Sequence, residues 1–306
     1  MDKLFNLSIY GLSWFDNQWE QVVEFCQQNG FAGVELLATG VMGSQYFEAI
    51  PKELIKGLHL SYHLNWLGVG EAKNSLDLKE LIENYRQELN LAAQLEVDYV
   101  VFHAANASFE EILTAEFKFS NIEILAKIAE IINQIIVGLE FDFKLLFENL
   151  WWGGLDLLNA KETVGFLEQV NSEQSGLLLD TGHLLNTTLE IRNEQEAIDY
   201  IEEVLSNYQQ LDNLFYSVHL HKSLFEDCRL ENRNKLYQQF KETIDLEEQE
   251  KLVGQFILQV DQHLPFSEVS PQRVLEMLNP KYITYEFVCS EKEEFINYLR
   301  IQDQLL

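Results

Sequence analysis

Five times along this 306-residue chain an apolar run stops at an ionisable residue. Val97-Asp98-Tyr99-Val100-Val101-Phe102 ends in His103, Phe143-Lys144-Leu145-Leu146-Phe147 in Glu148, and Leu177-Leu178-Leu179 in Asp180. Leu214-Phe215-Tyr216-Ser217-Val218 runs into His219-Leu220-His221, and Tyr282-Ile283-Thr284-Tyr285 into Glu286. Three leucines entered from Ser175-Gly176 read as a strand covered on both faces, as in a parallel sheet. His183 follows Asp180 by one tight turn, across Gly182, whose missing Cβ lets the backbone bend. One polar residue at a strand end says little. Five at equivalent places describe a site.

The intervals between these runs are helical in pattern. Leu4 to Ile9 alternates as a first strand. Trp19, Val22, Val23, Phe25 and Cys26 mark the inner face of a helix that Gly30 ends at its C′ position. Phe31 to Leu37 gives a second strand, with Glu35 near its end, and Gly57 to His63 a third. Further helices are expected at about 76–95, 108–139 in two pieces, 162–170, 193–209 and 291–304. Eight strands alternating with helices imply parallel strands joined by right-handed crossovers. Eight such units in a chain of this length predict a single-domain (β/α)8 TIM barrel over residues 1–306. A doubly wound open sheet is the alternative, but no G-x-G-x-x-G follows the first strand and no Walker motif occurs. One stretch breaks the alternation. Residues 224–258, rich in Glu, Gln and Lys, read as one or two extra helices covering a face of the barrel. Asp261-Gln262-His263 follows as another acid–imidazole pair.

Charge narrows the partners. Fifty acids against 21 bases leave −29, a field that repels nucleic acid unless a basic groove overcomes it locally. A hydrophobic content of 47% excludes a disordered chain. Cys26, Cys228 and Cys289 form no C-x-x-C, so reduced thiols and a cytoplasmic location are expected. The stretch Met1 to Asn6 has no basic, apolar leader, and no run approaches the roughly 18–20 apolar residues that span a bilayer. Composition leaves homo-oligomerisation open.

In a barrel of this kind the C-terminal strand ends open into one crater, where active sites lie. Glu148, Asp180, His219 or His221, and Glu286 therefore converge. Such groups repel one another in a shared mouth unless a cation joins them. Carboxylate oxygens mixed with imidazole nitrogens suit Zn2+, Mn2+ or Mg2+.

With these residues in place, the chain resembles the xylose isomerase-like barrels, which include sugar isomerases and epimerases and endonuclease IV (AP endonuclease family 2). The likeness spans nearly the whole sequence. It rests on Glu148, on Asp180-Thr181-Gly182-His183, on Val218-His219-Leu220 and on Glu286. It implies one divalent metal held by Glu148, Asp180, His219 and Glu286. The similarity to endonuclease IV implies up to three zinc ions. His59, from His59-Leu60-Ser61-Tyr62, and His103 would be ligands, with Glu148 bridging. Asp261-Gln262-His263 looks like that enzyme's D-x-H, displaced by the insertion, and with His183 would complete nine ligand positions. His63 competes with His59, and His221 with His219. The H-x-S-Y pattern favours His59 and the position before Leu220 favours His219. His221 would then face substrate or orient a ligand.

Two chemistries follow. An isomerase or epimerase of a small sugar or sugar phosphate would hold two substrate oxygens on one ion and stabilise an enediolate, with Glu148 and Glu286 transferring the proton. His183 would bond a substrate oxygen and Lys222 a phosphate. Trp66, Trp151 and Trp152 would offer platforms for a ring or pack beneath loops. A multi-zinc phosphoester hydrolase would use all nine ligands, whereas an isomerase has no need of His59, His103, Asp261 or His263. Tyr62 resembles a DNA-contacting tyrosine of endonuclease IV. Yet Ala38 to Ser44 carries no Arg or Lys to clamp DNA, so a small phosphoester suits the charge better. The charge and the glutamate pair place isomerisation slightly ahead of hydrolysis. A non-catalytic metal-binding barrel stands third.

Overall fold

Eight parallel strands pair each to the next and the last to the first, closing a barrel in the order β1 to β8. They are β1 (Asp2–Leu7), β2 (Gly33–Leu37), β3 (Ile55–His59), β4 (Tyr99–His103), β5 (Lys144–Glu148), β6 (Ser175–Asp180), β7 (Phe215–His219) and β8 (Tyr282–Tyr285). The structure, a computed structural model, describes residues 1–67, 77–209, 213–224 and 228–306. Helices alternate with the strands: α1 (Trp19–Asn29), α2 (Leu78–Leu95), α3 (Phe109–Thr114), α4 (Asn121–Ile136), α5 (Ala160–Leu167), α6 (Thr181–Leu185) and α7 (Glu194–Ser206). Between β7 and β8 come α8 (Cys228–Glu242), α9 (Leu246–Val260) and α10 (Gln272–Leu278), and α11 (Lys292–Asp303) closes the chain. The expected barrel is the observed one. The expected start of the second helix at Leu76, and residues 225–227 of the insertion, lie outside the described residues. Among the described residues no helix is long and apolar enough to cross a membrane.

Local chemistry accounts for the helices. α4 buries Ile124, Leu125, Ile128, Ile131, Ile132 and Ile135, a spacing of three and four that puts them on one face. A capping box starts it: Ser120 Oγ accepts from the Glu123 N–H, and the Glu123 carboxylate accepts from the Ser120 N–H. Gly30 ends α1 at a φ of 70°, donating its N–H to the Cys26 carbonyl.

Inside the barrel, Leu4, Tyr99, Val101, Leu146, Leu178 and Tyr282 form a small separate core. Tyr99 reaches across this interior to donate its hydroxyl to Glu35 at 2.6 Å. Gly57 makes that reach possible, because a Cβ there would lie 2.3 Å from the Tyr99 ring. Strand register then sets the mouth. Parallel pairing puts His103 beside Glu148 and Asp180 beside His219.

The insertion is a pair of helices, and it does cover one face. Leu236, Val253 and Phe256 of α8 and α9 pack on Ile112 and Leu113 of α3. Ala105, Ala107, Leu150 and Trp152, from the loops after β4 and β5, complete that cluster. Tyr237 donates its hydroxyl to Glu110 at 2.9 Å as an outer tie. Because those loops leave the C-terminal strand ends, the cover stands over the crater.

Candidate metal centre

Glu148, Asp180, His219 and Glu286 each offer one ligand atom, and these atoms lie within 4.8 Å of one another. His219 Nδ1 stands 2.9 Å from Glu286 Oε2, 3.5 Å from Glu148 Oε1 and 3.6 Å from Asp180 Oδ2. Asp180 is fixed from both sides. Its N–H donates to Asn149 Oδ1 at 2.8 Å, and its carbonyl accepts from Asn149 Nδ2 at 3.0 Å. Its carboxylate also caps α6, accepting the His183 N–H at 2.6 Å. Glu286, one residue past β8, is held by Asn6 Nδ2 at 2.8 Å.

Three further sets surround this one, one of them His221–His263–Glu286. His59 and His103 each bring Nε2 to 3.2 Å from Glu148 Oε2, so Glu148 belongs to two sets at once. On the other flank, His183 Nε2 and His263 Nε2 stand 3.1 and 2.7 Å from Asp261 Oδ2. Asp261 caps the C-terminus of α9, so the inserted helix delivers this pair directly. His263 adopts a φ of 48°, a left-handed conformation that side-chain sterics disfavour, and this turn brings its ring onto Asp261.

Three of these four rings anchor their second nitrogen. His59 Nδ1 faces the Leu60 carbonyl at 2.8 Å, His183 Nδ1 the Asn149 carbonyl at 2.9 Å, and His263 Nδ1 the Glu286 carbonyl at 2.8 Å. His219 uses Nε2 instead, on Glu35 Oε1 at 2.9 Å. An N–H donated outward leaves the opposite lone pair aimed inward, which is how metal-ligating imidazoles are oriented. Glu35 was visible in the sequence only as an acid on a strand. Its signal was its setting: a carboxylate between Val34 and Leu36 in an apolar run has no solvent and needs buried donors. Asn6 and Asn149 gave no signal, since amides at strand ends are commonplace.

Electrostatics show what the crater lacks without a cation. Burial pushes the His59 imidazole down, but the hydrogen bond and charge of Glu148, with Glu35 and Glu286, lift it to about 9. His263 also reaches about 9, because Asp261 outweighs burial. Burial likewise opposes the charged forms of the acids. The imidazoles nonetheless hold Glu148 and Asp261 well below the carboxylate range and bring Glu286 to about 2. Protons thus supply the positive charge the acids demand. That balance is incomplete. Buried Glu148 Oε1 and His219 Nδ1 have no well-formed hydrogen bond, a deficit of about 1–3 kcal/mol each. The nitrogen and oxygen donors of these sets could hold divalent cations.

Other expected residues divide. His63 belongs to no set and packs against Tyr85, with ring centres 6.0 Å apart. His221 is fully buried and joins His263 and Glu286 in a candidate set. It contacts Asp180 Oδ2 at 2.8 Å and stacks on His263 at 4.0 Å, which orients both. Gly182 is needed for that approach rather than for a bend, since a Cβ there would fall 2.1 Å from His221 Cε1. Lys222 pairs with Glu194 and donates to Ser267 Oγ. Trp66 is buried, donates Nε1–H to the Ala105 carbonyl at 2.8 Å, and forms part of the wall of a cavity of about 670 Å3. Trp151 lines the same cavity 5.1 Å from His183, with Trp152 against it. His59, His103, Glu148, His183, Asp261, His263 and Glu286 also face this cavity.

A closed (β/α)8 barrel carrying imidazole–carboxylate sets at its C-terminal mouth defines a class of barrels with a candidate metal centre. Residues 23–268 match the xylose isomerase-like TIM barrel family, and the chain belongs to it. Solved structures share the fold at low identity. The 3-keto-D-glucoside 4-epimerase from E. coli aligns at a TM-score of 0.58 and 12% identity, covering 100% of this chain and 98% of its own. A protein assigned as a 3-DHS dehydratase of petrobactin synthesis from Bacillus anthracis gives 0.57 and 16%, covering 98% and 97%. A sugar phosphate isomerase/epimerase from Parabacteroides distasonis gives 0.51 and 12%, covering 99% and 96%. Compared by sequence with curated proteins, the chain matches none.

Proposed function

We propose that this protein is a multi-metal hydrolase of small phosphoesters. The observation that carries this reading is the completeness of the ligand sets. His59–His103–Glu148, Glu148–Asp180–His219–Glu286 and His183–Asp261–His263 converge on one crater, and the first two share Glu148. Divalent ions held there would lower the pKa of a bound water and offset charge growing on a phosphoryl group. The chain's own part is orientation. Glu148 turns Oε2 to His59 and His103 and Oε1 toward His219, so one carboxylate ties two sets together. Asp261 Oδ2 does the same between His183 and His263. Glu35, Asn6 and Asn149 hold His219, Glu286 and Asp180 from behind. The helical cover packs beside the crater mouth, and charges held away from bulk water interact more strongly.

A second reading is a one-metal sugar isomerase or epimerase, with Glu148 and Glu286 as the proton-transferring pair. The strand set Glu148–Asp180–His219–Glu286 is sufficient for it, and two of the structures sharing the fold are named as epimerases or isomerases of sugars. It leaves His59, His103, Asp261 and His263 idle. It also needs His183 free for substrate, whereas both of its nitrogens are engaged, by Asn149 and Asp261.

Elemental analysis of untagged, chelator-free protein separates the two. About three divalent ions per chain, with phosphate released from small monoesters, supports hydrolysis. One ion per chain, no phosphate release and solvent deuterium entering a sugar would falsify it in favour of the isomerase.

A further inference from the structure

The cavity above the crater has two chemically different ends. Its floor is the imidazole–carboxylate cluster. Its outer wall is apolar and aromatic, and much of it is contributed by the inserted helices. Phe240 of α8 and Ile257 and Leu258 of α9 face Tyr62, Phe109 and Trp151 across the same space. Tyr62 stacks on the ligand-set residue His103, with ring centres 5.3 Å apart and planes 24° from parallel. Trp151 stands over His183. A flat group entering here therefore meets ring faces immediately beside the candidate metal positions. Among the described lining residues only Lys118 is a Lys or Arg, while Glu110 and Glu250 are acidic. A polynucleotide needs cations along its backbone track, and the described part of this wall supplies none in series. The volume, about 670 Å3, is that of a small-molecule site.

Resting on the hydrolase reading, we infer that this wall is a subsite for a planar aromatic group carried by a small substrate, and that α8 and α9 set the upper limit on substrate size. The phosphoryl end lies on the floor. The aromatic body lies between Tyr62 and Trp151 on one side and Phe240 and Ile257 on the other. Because Asp261 caps α9, the helix that contacts this body also carries two of the candidate ligands, so recognition and one metal set share a single element.

Binding to the metal-loaded full chain tests this, read by quenching of tryptophan fluorescence and by calorimetry rather than by turnover. The probes are phenyl phosphate, glycerol phosphate, inorganic phosphate and a duplex with one abasic site. Phenyl phosphate is expected to bind about tenfold or more tighter than glycerol phosphate, with the duplex weaker than either. Phe240→Ala and Leu258→Ser should bring the phenyl-to-glycerol ratio toward one. Leu258 is exposed, so its replacement does not threaten folding. Equal affinity for phenyl and glycerol phosphate overturns the aromatic subsite. Duplex binding as tight as phenyl phosphate overturns the size limit. If no phosphate probe binds but a phenyl glycoside outbinds the methyl glycoside tenfold, and Leu258→Ser removes that preference, the subsite stands and the hydrolase reading falls.

Discussion

Glu148, Asp180 and His219 stand on barrel strands and are fully buried, whereas Asp261 and His263 hang from the end of a helix inserted between β7 and β8. The strand half of the crater is positioned by the ladder itself. Asp180 lies beside His219 in register, and displacing either one would break sheet hydrogen bonds. The inserted half is positioned by one helix terminus, a left-handed residue and the loop that follows. The barrel therefore secures the four-residue set, while the insertion decides whether the third set exists.

That contrast can be broken at either half. The largest effect is expected at Glu148, which serves two sets. Glu148→Gln keeps its shape and removes its charge, so it should lose at least two ions per chain and about a thousandfold or more in rate. Full metal content in that variant would remove Glu148 from the site. His263→Ala strikes the inserted half alone. Elemental analysis should then find about one ion fewer, with hydrolysis down on the order of a hundredfold. An unchanged rate would show that the inserted half is not part of the chemistry.

Behind the strand half, Glu35→Gln should weaken metal retention by roughly 10–100-fold, because it frees the ring of His219 without touching any candidate ligand directly. Competition with a chelator measures this, and an unaltered affinity would leave Glu35 a purely structural acid.

Protonation gives a subtler test. In the metal-free protein His59 and His263 titrate near 9, above their ordinary 6.5, so both carry protons at pH 7. Metal loading at pH 7 should release protons, and apparent affinity should rise with pH. Calorimetry in buffers of different ionisation enthalpy reads the number directly. The same raised values fix a sign for stability. Their contribution to the metal-free fold is complete below about 6.5 and is lost as pH rises through about 9. The metal-free protein should thus lose melting temperature between pH 7 and 10, and the loaded protein should lose less.

Much of this was legible in the sequence because barrel strands end where apolar runs end. Glu148, Asp180 and Glu286 could be placed by period and position alone. The choice between His59 and His63 came only through resemblance, and the structure shows why the residues could not decide it. The strand stops at His59, and His63 lies in the following loop with its ring against Tyr85 of α2. Glu35 was underrated because a single strand does not reveal that Tyr99 and His219 reach it across the barrel. The surroundings of Lys222 were not legible for a related reason. Its partner Glu194 comes from another helix, and no local spacing encodes that pairing.

Glu194 is also where the two halves of the crater can be compared by the mildest perturbation. Its buried carboxylate accepts from the N–H groups of Ser267, Glu268 and Val269 and from Ser267 Oγ, and it pairs with Lys222. Lys222 in turn exchanges main-chain hydrogen bonds with Leu264, next to His263. Burial works against the charge, but Lys222 and these donors bring the carboxyl from 4.5 to about 2. That depression stabilises the fold at neutral pH, an effect present above about 4.5 and lost as pH falls toward 2. Glu194→Gln should lower the melting temperature by roughly 5–10 °C at pH 7. The deficit relative to the parent should shrink below about pH 4, where the parent loses the same charge. Because the clamp steadies the segment after His263, a chelator should strip the His183–Asp261–His263 ion faster while the strand set keeps its metal. Equal release from both sets would mean that the barrel, and not the insertion's own ties, positions the whole crater.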